Sequence, residues 1–229
     1  MKPDYLLFSD ASVVHRGAYY AAGCGGVICD CVNQDIYYPY QYTPDQSLRK
    51  ASVYMELVSM YQGLSYLHHA VTEEKKLKIV IFSDCKSIVD GFRNIKDRTW
   101  IFHRGHWVKR KNHKVVPGDQ YYQKIFNLLD RHQDKVKVVH VLSHSNRSEK
   151  KLCENEIRIK QILKQEKIKG DEHLPLFVIT MNRLADRFAA SASPYYIKRY
   201  QETEGGVTEW QSGERDNAIS ERTNLPRRS

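Results

Sequence analysis

Paired cysteines, sequence repeats and long apolar runs are all missing from this chain, and each absence removes a class of protein. Cys24, Cys29, Cys31, Cys85 and Cys153 are odd in number and never show the two-residue spacing of a zinc knuckle. Neither a disulfide framework nor a cysteine-built zinc centre organises the fold, and reduced thiols are expected. No internal repeat or low-complexity block interrupts the sequence, which sets aside repeat architectures. No apolar stretch approaches the ~20 residues of a membrane span, and the first residues lack a basic stretch followed by an apolar signal core. A soluble intracellular protein without membrane attachment is the expectation.

What is present supports a folded domain. A length of 229 residues with 41% hydrophobic side chains is enough for one generous domain with a true core. The net charge of +9 is concentrated: between Arg93 and Lys114 eight Lys/Arg stand against Asp97 alone. Trp100, Phe102 and Trp107 interleave with Arg104, Lys109, Arg110 and Lys111 there, the alternation of cation and aromatic found on nucleic-acid-binding surfaces. An ordinary solvated loop would have the same charge.

Periodicity orders the elements. Tyr5–Asp10, Ala21–Cys31 and Ile36–Gln41 read as a three-strand meander, with Pro39 placing the third strand at an edge. Residues 51–68 carry Val53, Leu57, Leu64 and Leu67 at helical spacing. The run "KIVIFS" ending at Ser83 reads as a fourth strand, followed by a helix with Ile88, Val89 and Phe92. A helix from Asp119, a fifth strand "KVVHVL" ending at Leu142, and a charged helix between Arg147 and Gly170 follow. Pro175 separates that helix from a last one around Met181–Ala192. The class is mixed α/β. From Lys198 onward six basic and six acidic residues with few apolar side chains predict a disordered tail, residues 197–229.

Two strands run into a carboxylate. "FSDA" and "FSDC" place Asp10 and Asp84 after apolar residues, where an unpaired charge costs several kcal/mol. A largely apolar helix offers Glu56, and "NRLAD" sets Asn182 and Asp186 four apart, on one helical face. Singly, Asp10 and Asp84 read as turn or cap residues, and Glu56 and Asp186 as exposed helix charges. As a set they predict a cleft in which like charges raise one another's proton affinity until cations neutralise them. Oxygen donors without Cys or His favour Mg²⁺, with Mn²⁺ as a substitute. Two such ions roughly 3.5–4 Å apart clamp the attacking water and leaving oxygen of a phosphodiester.

The order of these carboxylates, with "GCGGVI", "ASVYMEL", "VLSHS" and "NRLADRFA", resembles ribonuclease H of type 1 over roughly residues 4–192. The resemblance implies a five-stranded mixed sheet flanked by helices in a catalytic domain of residues 1–196. It implies metal-dependent cleavage of the RNA strand of RNA/DNA hybrids, giving 3′-hydroxyl and 5′-phosphate ends. By position, Asp10, Glu56, Asp84 and Asp186 match the metal ligands, His144 the histidine of proton transfer or product release, and Asn182 the asparagine one turn earlier. Residues 93–114 match a hybrid-binding handle, and Ser12 and Lys86 fall at substrate-facing positions. A cytoplasmic or nucleoid-associated location follows.

The chain departs from the pattern in several places. Ala11 follows the first aspartate where a glycine is usual, and the connection to Gly26 is long and rich in tyrosine (Tyr19, Tyr20). Ser52 and Val53 replace the asparagine pair that reads ribose 2′-hydroxyls, and Lys86 replaces a glutamine. A charged helical insertion, residues 147–178, separates His144 from Asn182; a substrate clamp, a lid, a protein-docking surface and a tolerated surface insertion are its open readings. The replaced asparagines keep a nuclease with another nucleic-acid substrate open, beside an inactive nucleic-acid-binding scaffold.

Overall fold

Leu6 and Phe8 point one way from the first strand and Leu7 the other, and all three are buried because helices cover both faces of the sheet. The computed structural model describes residues 1–16, 19–33, 36–45, 51–70, 77–129, 135–142 and 149–195. Among the described residues, seven strands and five helices follow in chain order. They are β1 (Tyr5–Arg16), β2 (Tyr19–Asp30), β3 (Ile36–Tyr42), α1 (Ser52–Ala70), β4 (Ile79–Ser83), α2 (Lys86–Lys96), β5 (Trp100–His103), β6 (His106–Lys109), α3 (Asp119–Leu129), β7 (Val136–His140), α4 (Glu149–Gln165) and α5 (Leu174–Ser191).

The main sheet has the order β3-β2-β1-β4-β7, with β1, β2 and β3 antiparallel and β1, β4 and β7 parallel. This is the five-stranded mixed sheet that the resemblance implies. Pro39 lies on the edge strand, where its missing N–H is tolerated. One face packs Leu7, Ile79 and Ile81 against Leu57, Met60 and Leu64 of α1 and Tyr122 and Ile125 of α3. The other packs Phe8, Val80 and Phe82 against Val178 and Ile179 of α5 and Ile159 and Leu163 of α4. The Phe8 and Phe82 rings stack at 4.9 Å, joining the two central parallel strands.

The structure corrects four readings and gives the basic segment its shape. Asp10 does not end its strand, because β1 continues to Arg16 paired with β2 as a long hairpin; only the parallel pairing with β4 stops, at Phe8 opposite Phe82. The basic segment folds as a hairpin, β5–β6, in its own two-stranded sheet. Its turn has Arg104 at φ 50° and Gly105 at φ 82°, the paired left-handed residues that match the twist of a tight hairpin. The charged helix stops at Gln165, five residues before Gly170, and Lys167 at φ 53° takes the left-handed position expected of that glycine. Pro175 lies within α5, in the first turn, where no intrahelical N–H is required. Lastly α4 is no mere surface addition: Ile159 and Leu163 are 2% and 6% exposed and close the core beside Val139 of β7.

Candidate active site

Glycines in β2 bring helices onto the sheet beside Asp10. Gly25 is the register partner of Asp10. A Cβ there would lie 2.4 Å from the Ala189 nitrogen, so α5 rests on bare backbone and Asp186, one turn earlier, reaches the site. On the other face Ser59 Oγ of α1 donates to the Gly25 carbonyl at 3.0 Å, and Tyr40 Oη donates to the Ser59 carbonyl at 3.1 Å. Glu56 lies one turn before Ser59 and faces the sheet.

The outcome is a buried acidic cluster. Among the described residues, ligand oxygens of Asp10, Glu56 and Asp84 all lie within 4.8 Å of one another. Asp10 and Glu56 are 6% and 7% exposed, so the reading of Glu56 as a surface charge is overturned; Asp84 is half-buried between β4 and α2. Asp186, also half-buried, is not within that distance of all three, but its charge acts on Asp10. Burial first, then Asp84, then Asp186 push the Asp10 carboxyl up to about 8, opposed by the Ala11 N–H donating at 2.8 Å and by a hydrogen bond from Glu56. Burial, followed by Asp10 and Asp84, holds Glu56 well above the carboxylate range.

These residues fit a divalent cation. No Lys or Arg is among the causes of the Asp10 and Glu56 shifts, and Glu56 Oε2 is buried with no hydrogen-bond partner among the described residues. All donors are oxygen, which suits a hard ion. Asn182, 8% exposed, leaves its Oδ1 unpartnered one turn before Asp186.

The other expected residues distribute as follows. Ser12 is half-buried on the β1 extension opposite Gly23, and Lys86 is exposed at the first residue of α2. Arg104, Lys109, Arg110 and Lys111 are exposed on or beside the hairpin. Trp100 and Trp107 are not free stacking faces: Trp100 packs edge-on against Tyr122 at 5.5 Å, and Trp107 against Phe126 at 5.3 Å. They anchor the hairpin to α3, and the half-exposed Phe102 is the ring left outward. His144 and the tail, residues 197–229, lie outside the described residues. Sequence reasoning missed His140, whose Nε2 sits 3.1 Å from the Asp84 carbonyl oxygen at the end of β7. Its only sequence signal was a polar residue in an apolar run.

By sequence, the chain matches no protein-family profile and no curated protein. By shape it is similar to the RNase H domain of PFV, with TM-score 0.51 and 11% identity over 84% of this chain and 95% of that one. A prototype foamy virus protease–reverse transcriptase gives TM-score 0.49 and 11% identity, covering 83% of this chain and 21% of that one. LC11-RNase H1, solved in complex with RNA/DNA hybrid, gives TM-score 0.42 and 14% identity over 62% and 88%. The first of these similarities establishes the fold.

Proposed function

We propose that this chain, which has the ribonuclease H-like fold, is a divalent-metal-dependent nuclease that cleaves the RNA strand of RNA/DNA hybrids. The observation that carries the reading is the convergence of Asp10, Glu56 and Asp84 from β1, α1 and the β4–α2 junction. Their mutual repulsion and burial make the cluster unfavourable without a cation.

Asp10, Glu56 and Asp84, with Asp186 at the rim, would hold Mg²⁺ as a pair of ions, Mn²⁺ substituting. Bound there, the metal would supply Lewis acidity toward a phosphodiester and lower the pKa of a water; 3′-hydroxyl and 5′-phosphate products are the expectation. The chain's own part is to fix the ligands. The Ala11 N–H orients Asp10, His140 contacts the backbone at Asp84, and Gly25 admits the helix that carries Asp186. Without metal, burial and the neighbouring Asp10 and Asp84 favour the protonated form of Glu56, and a bound cation would favour its loss of that proton. His144 is proposed to move a proton or help product leave. Arg104, Lys109, Arg110 and Lys111 track the phosphate backbone at a distance from the cut, and Ser12, Lys86 and Asn182 line the approach. The Trp100 and Trp107 rings set the hairpin's angle.

The absence of amide side chains at Ser52 and Val53 favours one alternative, a nuclease of this fold acting on another nucleic acid. Cleavage of matched RNA/DNA hybrid, double-stranded RNA, double-stranded DNA and single strands, each with Mg²⁺ and with EDTA, decides. Mg²⁺-dependent cutting of the hybrid's RNA strand alone is expected. Preferred cutting of another substrate would establish the alternative, and no cutting of any would leave a binding scaffold.

A further inference from the structure

The turn that follows α4 gathers cations from distant parts of the chain. Glu166 lies at its centre. Its carboxylate stands 3.6 Å from Lys137 Nζ of β7 and 3.9 Å from Arg93 Nη2 of α2, and its carbonyl accepts a hydrogen bond from the same Lys137 ammonium. Ile168 is buried and donates its N–H to the Leu163 carbonyl at 2.9 Å, so that Lys167 and Lys169 are exposed on either side of an anchored residue. The Lys169 N–H also donates to the Met1 carbonyl at 2.8 Å. Desolvation, then the charges of Lys137, Lys169 and Lys78, lower the proton affinity of the Met1 amine, which places those three ammonium groups round one point.

This turn stands apart from the acidic cluster. β7 carries Lys137 near its start and His140 at its end, where Nε2 lies 3.1 Å from the Asp84 carbonyl oxygen. Three residues of strand separate the two levels by about 10 Å. The turn adjoins the hairpin instead. Arg93 sits in the last turn of α2, Lys96 ends that helix and Arg98 follows, all exposed. The Arg110 N–H, just past β6, donates to the Thr99 carbonyl at 2.9 Å. Lys109, Arg110 and Lys111 are thereby continued through Arg98, Lys96 and Arg93 to Lys137, Lys167 and Lys169.

The described acids on these segments are Asp90, Asp97 and Glu166. Asp90 and Glu166 hold Arg93 loosely, at 3.6 and 3.9 Å with its side chain 57% exposed, so exchange for another anion costs little. A helix C-terminus attracts a cation or two by its dipole. Two such ends meeting round one carboxylate leave a surplus of positive charge, and a row of phosphates neutralises it without regard to base sequence.

Resting on the nuclease reading for the acidic cluster, we infer that the turn after α4, through Lys164, Lys167 and Lys169, is a second nucleic-acid contact that holds the phosphates of the duplex beyond the part held by the hairpin.

The test uses the full chain in an Asp10→Asn background that blocks cleavage. Dissociation constants are measured by fluorescence anisotropy for labelled RNA/DNA hybrids of about 8 and about 24 base pairs, roughly 27 and 80 Å long at the rise of B-DNA. The first variant changes Lys164, Lys167 and Lys169 to Gln together; all three are exposed, so its thermal midpoint should hold. It is expected to bind the long hybrid about tenfold more weakly, with a dependence on log salt shallower by about two to three, and the short hybrid as before. The second variant, Glu166→Gln, removes the acid between Arg93 and Lys137 and is expected to bind the long hybrid about threefold more tightly. A turn of purely structural importance would not bind better once its ion pairs are cut. Equal weakening of both lengths by the first variant, no tightening by the second, or no change on either hybrid, the result expected were an acidic protein the occupant, would overturn the inference. Mg²⁺-dependent cleavage of the short hybrid by wild type is followed in parallel. If it is cut and the long-hybrid effects are missing, this contact alone falls. If nothing is cut and the long-hybrid effects are present, the nuclease reading falls and the contact stands. Binding of neither hybrid would overturn both.

Discussion

Asp10 is the residue on which the electrostatics turn. Folded, its carboxyl keeps a proton up to about 8, against an ordinary value of 3.8. Between those values the folded chain binds more protons than the unfolded one, so stability of the metal-free protein falls as pH rises through that window. Thermal unfolding in EDTA should show the midpoint dropping from pH 4 to pH 8. Asp10→Asn should flatten the curve and make the variant more stable than wild type at the alkaline end; a wild-type midpoint that rises with pH would contradict this. The same substitution should lower Mg²⁺-dependent cleavage about a thousandfold or more while hybrid binding survives. At this scale the sequence was readable because the Ser-Asp pair recurs after two apolar strands. Glu56 could not be assigned from its own neighbours, since its burial depends on Gly25 and Tyr40 far away in the chain.

Elements carry those residues to each other, and here bare backbone matters more than side chains. Gly25→Ala would set a methyl 2.4 Å from the Ala189 nitrogen, which cannot yield without moving α5. A loss of about 2–4 kcal/mol in chemical denaturation is expected, with a larger fall in activity as Asp186 is displaced. The β5–β6 hairpin makes a different contribution. Lys109, Arg110 and Lys111 are exposed and supply charge without packing. Changing all three to Ala should weaken hybrid binding and make its dependence on log salt shallower by about two to three, measured between low and physiological salt. Their composition announced this role, but not the hairpin. Its strands are only four residues each and are anchored by Trp107 on Phe126, a contact that local pattern cannot show.

For the whole molecule, the order of strands and helices was legible because both faces of the sheet are covered, which leaves near-continuous apolar runs in β1 and β4. The insertion was the least legible part. Its charge density suggested a surface element, yet every third or fourth residue, Ile159 and Leu163 among them, enters the core shared by β7 and α5. Leu163→Ala should therefore cost about 2–4 kcal/mol in denaturant unfolding, a loss that a peripheral lid would not show.

The most direct test of the whole account is where a divalent ion sits. Crystals of the protein soaked in Mn²⁺ should give anomalous density touching oxygens of Asp10, Glu56 and Asp84, lost in Glu56→Gln. Density elsewhere, or none at these carboxylates at saturating Mn²⁺, would contradict a metal-dependent nuclease site.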